Sequence, residues 1–232
     1  MKKLFILSIL FTFIFIQNGN AKIWRVNNNT GITADFTGID AAVNSASVHA
    51  GDTIHIEASA IGYGNCYLSK RLTIIGTGYF LSETAPQIAN PKTEANTNPG
   101  IIGSIYFYPG SKGSVISGVY ISSYCIIEDS LITVQRCLIT GDVYFGDSYT
   151  AYDSYADTIR QNYITGGAKV GYTTTGKIKN ILLYNNIIGG MVGIDFSYNI
   201  NNVSGFVLNN SFLYQNSSGS GNPTSMTSAN IV

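Results

Sequence analysis

Acidic and aromatic side chains crowd into one short polar stretch of this chain. Between Gly146 and Thr158 stand Asp147, Tyr149, Tyr152, Asp153, Tyr155 and Asp157. Carboxylates at such density can accept hydrogen bonds from sugar hydroxyls. They can also hold Ca²⁺ through several oxygens, with Asp147, Asp153 and Asp157 as the candidate ligands. Tyr149 and Tyr152 would supply aromatic contacts to the same ligand. The spacing of a calcium-binding loop is absent, so a solvated polar loop is the competing reading. Glu128, Asp129 and Asp195 are further carboxylates that can lie nearby. His49 and His55 are the two histidines, and no Ser/His/Asp arrangement accompanies them. Cys66, Cys125 and Cys137 lack metal-ligand spacing. They read as small buried hydrophobes, with a disulfide open to an exported protein.

Positioning these groups falls to a repeat. Ile121, Ile139, Ile164, Ile188 and Phe212 share one local frame. Five residues before each stand Ile116, Val134, Ile159, Leu183 and Val207, and two before stand Val119, Cys137, Asn162, Asn186 and Asn210. Four and six after the first four come Cys125/Ile127, Val143/Phe145, Ala168/Val170 and Val192/Ile194. Ile101, Ile105 and Phe107 fit the same offsets. The last four copies are 24 or 25 residues apart, a period that marks stacked units. The apolar residues come in i, i+2 pairs and are mostly β-branched or aromatic, which is strand chemistry. Short strand, bend, short strand and longer return describe one coil of a parallel β-helix, with like residues superimposed at about 4.8 Å. Asn162, Asn186 and Asn210 are expected at a bend, where Asn tolerates the left-handed conformation and amides bond along the stack; ordinary Asn-rich turns are the alternative.

Ahead of the repeat, Ile23–Val26 reads as a strand, followed by one helix. Thr37 is its expected N-cap, with Asp40 completing a near capping box, and Ile39, Ala42, Val43 and Ala46 form its apolar stripe. Such a helix would cover the open end of the stack. Phe80 to Pro99, with Pro86, Pro91 and Pro99, reads as a long loop.

The run Asp35-Phe36-Thr37-Gly38-Ile39-Asp40-Ala41-Ala42-Val43, then Gly51-Asp52-Thr53-Ile54, Gly62-Tyr63 and Leu72-Thr73-Ile74-Ile75-Gly76, resembles the opening of right-handed parallel β-helix proteins of the pectin-lyase-like superfamily. The resemblance covers about a quarter of the chain and implies a right-handed β-helix with an N-terminal capping helix. It does not imply one activity, because lyases, hydrolases, esterases and inert adhesins share this fold. A calcium-dependent lyase of that kind needs an acidic cluster and a basic proton abstractor. Arg136, Arg160 and Lys169 fall on successive coils where they can share a site with Asp142 or Asp147, and Lys169, Arg160 and Asp147 are the catalytic candidates. A hydrolytic relative would carry paired Asp residues, Gly-His-Gly and Arg-Ile-Lys. Here only Lys177-Ile178-Lys179 echoes that pattern. No catalytic motif carries over residue by residue.

On a β-helix a long ligand lies along the outer face. Outward positions include Tyr106, Tyr144 and Lys169, and one strand earlier Tyr120 and Tyr163. Tyrosines there can stack on sugar rings, although strands favour aromatics in any case. Charged residues make up 11% of the chain, with no basic footprint for nucleic acid. Residues 1–21 read as a secretory signal: Lys2 and Lys3, an apolar core from Leu4 to Ile16, then Gly19-Asn20-Ala21. That core is short for a membrane span of ~20 residues, and no later segment would cross a bilayer. The expected protein is therefore secreted, periplasmic or on the cell surface. Residues 22–216 form its β-helix domain, and 217–232 form a tail that is flexible or leads into a longer protein. It is expected to be a monomer whose partner is a polysaccharide or cell-surface glycan, non-catalytic and without a cofactor unless Ca²⁺ is bound. A polysaccharide lyase or hydrolase acting on uronate-type polymers is the alternative, and an adhesin or passenger fragment a third class.

Overall fold

Glycines, asparagines and small polar residues interrupt the apolar pairs every few positions, so the strands are short. The computed structural model describes residues 21–78, 98–146, 153–170, 177–190, 192–194, 203–204 and 207–212. Within them the structure is mostly β, and the strand pairings are parallel. The strands line up in ladders. The first holds Ile23–Val26, Thr53–Ile56, Thr73–Ile75, Val115–Ser117, Thr133–Gln135 and Thr158–Arg160. A second holds Ile101–Ile102, Tyr120–Ile121, Leu138–Ile139 and Tyr163–Ile164. The longer strand Leu182–Ile188 pairs with both and joins them into one sheet, and Val207–Phe212 pairs with it. The third ladder holds Cys66–Leu68, Ile105–Phe107, Cys125–Ile127, Val143–Phe145, Ala168–Val170 and Val192–Ile194. Ser154–Tyr155, Ile178–Lys179 and Val203–Ser204 form a smaller sheet. This curled, all-parallel arrangement is consistent with a parallel β-solenoid.

The isoleucines are superimposed as their spacing predicts. Ile121 pairs with Ile139, Ile139 with Ile164, Ile164 with Ile188, and Ile188 with Phe212. On the first ladder Ile54, Ile74, Ile116, Val134, Ile159 and Leu183 make a second inward column. All six are fully buried. Phe107, Ile127 and Phe145 fill the third side. Cys66, Cys125 and Cys137 are buried free thiols in the same core, and burial pushes their pKa values up. A reactive thiolate is thereby disfavoured.

Register departs from the sequence frame in two coils. Ile102, not Ile101, stands in the column with Ile121, so the bend to Ile105 is one residue shorter than the frame assumes. At the other end Leu208, not Val207, aligns with Leu183, and a shift between Tyr184 and Ile187 absorbs the difference. Residue counting cannot detect how many positions a bend consumes.

The bends also differ from expectation. Their left-handed residues precede the asparagines: Gly118, Arg136, Gln161 and Asn185 have φ of 68°, 52°, 57° and 55°. The residue after each turns inward, giving the buried column Val119, Cys137, Asn162 and Asn186. The last three turns each leave a backbone N–H facing the interior, and a side-chain oxygen from the following coil accepts it. Cys137 N–H donates to Asn162 Oδ1 at 2.9 Å, Asn162 N–H to Asn186 Oδ1 at 3.0 Å, and Asn186 N–H to Asn210 Oδ1 at 3.1 Å. The amide nitrogens complete the ladder: those of Asn162 and Asn186 donate to the next Asn, and all three donate to a strand carbonyl. A second bend repeats the device. Gly113, Leu131, Ala156 and Asn180 are left-handed, and Ser114, Ile132, Asp157 and Ile181 follow them, fully buried.

The helix is shorter than its stripe suggests. It runs Ile39–Asn44, with extended Gly38 at its N-cap and no side-chain cap bond, so Thr37 does not cap it. Ile39, Ala42 and Val43 enter the core. Ala46 lies beyond the helix and is exposed, and Val48 is buried instead. Lys70 Nζ donates to the Ser45 and Val48 carbonyls just past the helix end, where a cation suits the helix dipole. Among the described residues no helix is long and apolar enough to cross a membrane.

Replacing Asn186 with Leu keeps the branched shape but leaves the buried Asn162 N–H without its acceptor. The expected cost is about 1–3 kcal/mol, measured as a loss in urea unfolding free energy together with faster hydrogen exchange at Asn162. An unchanged unfolding curve would show that the amide ladder does not hold the coils.

Candidate functional site

In the third ladder, Cys66–Leu68, Ile105–Phe107 and Val143–Phe145 bury their ends and turn their middle residue outward, as strand alternation requires. Tyr67, Tyr106, Ile126, Tyr144, Lys169 and Gly193 stand in register along this ladder, and Tyr67, Tyr106, Tyr144 and Lys169 reach the outer side. Tyr106 and Tyr144 lie between fully buried Ile105/Phe107 and Val143/Phe145. Their positions are set by the core rather than by a mobile loop. Three rings cluster at one end. Tyr67 stacks on Tyr106 with centroids 5.0 Å apart and on Tyr108 at 6.3 Å, and Tyr106 stacks on Tyr108 at 5.7 Å. Some ring face is consumed by this mutual stacking, which rigidifies the group. Asn65 Nδ2 donates to the Tyr67 hydroxyl at 3.1 Å.

Further along the same face, Tyr124 packs at a tilt on Tyr144, 5.9 Å between centroids. Asp142 Oδ2 accepts the Tyr144 hydroxyl at 2.9 Å and Lys169 Nζ at 2.8 Å, and its Oδ1 accepts the Gly167 N–H at 2.6 Å. Burial alone would raise the Asp142 pKa. The Lys169 ammonium, the Gly167 N–H and the Tyr144 hydroxyl outweigh it and hold the carboxyl below its ordinary range. Lys169 Nζ also lies 5.9 Å from the Tyr144 ring centre. Aromatic rings, hydroxyls and one ion pair along a single rigid face are groups that can hold a sugar polymer.

The other sequence candidates are dispersed. Tyr120 and Tyr163 face outward on the second ladder, in register with Ile101, Leu138 and Ile187, and so belong to a different face from Tyr106 and Tyr144. Arg160 lies on the first ladder, where its Nε donates to Gln135 at 2.8 Å and a terminal nitrogen to Tyr184 at 3.0 Å. Arg136 donates to Gln161 at 3.3 Å. Of the three basic residues, only Lys169 meets Asp142. Asp147, Tyr149, Tyr152 and Asp195 lie outside the described residues.

Asp153 accepts the Tyr155 hydroxyl at 2.7 Å and the Lys177 N–H at 2.8 Å, which together lower its pKa. Asp129 takes the N–H groups of Gly110, Lys112 and Ser130, and Glu128 is buried. Asp157 is fully buried inside the solenoid, in the column between Ile132 and Ile181. It accepts the Ile132 N–H at 2.8 Å and the Ser154 hydroxyl. Burial pushes its carboxyl up to about 7 against those two bonds. Among the described residues no three His, Cys, Asp or Glu side chains converge on a point that could hold a metal ion.

Sequence reasoning missed Tyr67, Tyr108 and Tyr124. For Tyr67 a signal existed: Cys66-Tyr67-Leu68 alternates as Ile105-Tyr106-Phe107 does. Comparison with protein-family models, curated proteins and solved structures finds no match to this chain.

Asp157 yields a pH prediction of unusual sign. In the unfolded chain it ionises near 4; folded, it keeps its proton to about 7. Its contribution to stability is whole below the unfolded value and is lost as pH rises through the folded one, by roughly 4 kcal/mol at full ionisation. Asp52, Glu57, Asp142 and Asp153 shift the other way and lose their contribution in acid. Asp157→Asn keeps an oxygen for the Ile132 N–H without the charge. Relative to this variant, the wild-type melting temperature should fall between pH 5 and pH 8. Parallel curves would contradict the burial of an ionisable carboxyl.

Proposed function

We propose that this protein is an exported polysaccharide-binding β-solenoid, right-handed and of the pectin-lyase-like kind, whose short helix covers the first coils. Lys2, Lys3 and the apolar run from Leu4 to Ile16 support export. The helix supports the cap reading because Ile39, Ala42 and Val43 join the core at the end where the strands begin. One observation carries the binding reading. Tyr67, Tyr106 and Tyr108 form a stacked cluster on the same outer face that holds Tyr124, Tyr144, Asp142 and Lys169. Tyr67 and Tyr124 retain 37% and 45% exposure, so the face offers rings and hydroxyls to a ligand lying along the stack.

The test is a polysaccharide array followed by titration with any polymer retained. Tyr67→Ala should weaken binding by up to about tenfold, the range of one aromatic contact. Leu138→Ala, on the second ladder, should leave it unchanged. A protein that retains no polymer would instead serve as a rigid display surface.

The Lys169–Asp142–Tyr144 cluster favours a second reading, a lyase on uronate polymers with Lys169 as proton abstractor. Incubation with such polymers, followed at the absorbance of unsaturated products, should then show a rise that Lys169→Ala abolishes. A flat trace removes this reading.

A further inference from the structure

Among the described residues, charge on the tyrosine face is sparse and internally matched. Lys169 is the one basic residue in the strands of the third ladder, which otherwise read Cys-Tyr-Leu, Ile-Tyr-Phe, Cys-Ile-Ile, Val-Tyr-Phe and Val-Gly-Ile. Its ammonium lies 2.8 Å from Asp142 Oδ2, and the two side chains are 26% and 17% exposed. Asp142 is ionised across the neutral range, because its three donors outweigh the effect of burial. The pair therefore presents a dipole with no net charge. The nearby arginines do not reach this face: Arg136 and Arg160 are bonded on the first ladder and its bend.

From this we infer that the face selects a neutral polysaccharide and rejects uronates and other polyanions, with Asp142 as the residue that sets the selection. The inference rests on the polysaccharide-binding reading above and deepens it. A uronate carboxylate that approached Lys169 would also approach the Asp142 carboxylate. The repulsion between these like charges offsets the attraction of the ammonium, so the pair offers a uronate no net electrostatic gain. Pairing with Lys169 alone would require Asp142 to give up its ammonium partner, leaving a partly buried carboxylate less compensated. A sugar hydroxyl meets no such conflict. It can donate to the carboxylate and accept from the ammonium in one geometry, while the tyrosines take its apolar ring face. Tyr67 to Lys169 spans five rungs, roughly 19 Å of face along the stack.

The experiment titrates wild type and Asp142→Asn with neutral glucan, mannan and galactan fragments and with polygalacturonate and alginate fragments, each at low and at physiological salt. Asn keeps an oxygen for the Gly167 N–H, and melting curves confirm that the variant is folded. Lys169→Gln serves as the second variant. Wild type should bind at least one neutral polymer with little salt dependence and each uronate at least tenfold more weakly. Asp142→Asn should gain at least fivefold for uronates, a gain erased by salt because Lys169 is then uncompensated. Lys169→Gln should show no such gain. Salt-sensitive preference of the wild type for uronates would overturn the inference and leave the binding reading standing. Neutral binding with no uronate gain in folded Asp142→Asn would overturn the role of Asp142. Retention of no polymer of either kind would overturn the binding reading, and this inference with it.

Discussion

A backbone N–H that points into a solenoid must find an oxygen there, because no water reaches it. The left-handed bends at Arg136, Gln161 and Asn185 create this problem, since the residue after each faces inward. The following coil solves it: Asn162, Asn186 and Asn210 each accept the N–H of the coil before. At the second bend Ser114 Oγ takes the Leu72 N–H and Asp157 Oδ1 takes that of Ile132. These bonds work only if consecutive coils stand one strand spacing apart and in register. Left-handed residues other than glycine and asparagine cost about 1–2 kcal/mol each, so Arg136 and Gln161 are tolerated because stacking over-determines them. Glycine is needed where backbones close further: a methyl on Gly166 would stand 2.4 Å from the Gly141 carbonyl oxygen.

The outer face follows from the same register. A three-residue strand with both ends buried has one outward residue, and parallel pairing places those residues one above another. Tyr67, Tyr106, Ile126, Tyr144 and Lys169 are neighbours for this reason, although the first and last lie about a hundred positions apart in the chain. Ile126 is only 6% exposed in that outward column, which marks how closely its neighbours cover it. Side chains on such a ladder are held by the core beneath them, as a preorganised binding face requires.

Carboxylates of one chemical type do three different jobs here. Asp142 is ionised and joins two coils through Gly167 and Lys169. Asp153 fixes a surface turn through Tyr155 and the Lys177 N–H. Asp157 substitutes for an apolar residue inside the stack and holds its proton toward neutrality. The proximity of Asp147, Asp153 and Asp157 in sequence suggested one acidic site. The bend at Ala156 instead sends Asp157 inward, while Asp153 makes its bonds at the surface.

Alternation and period were determined by the sequence alone, because both are local. Side chains on a strand change face every residue, so the i, i+2 pairs identified the inward columns and left Tyr106, Tyr144 and Lys169 pointing out. The spacing of 24 or 25 residues likewise superimposed Ile139, Ile164 and Ile188. Tertiary structure decided everything that depends on how many residues a bend consumes. It placed Ile102 rather than Ile101 and Leu208 rather than Val207 in the columns, and it put Tyr120 and Tyr163 on a different face from Tyr106. It also brought Lys169 to Asp142 across 27 positions and left Arg160 on the opposite ladder with Gln135. Such contacts form between coils, and their partners are set by the height and rotation of one coil on the next, which no local pattern of residues encodes.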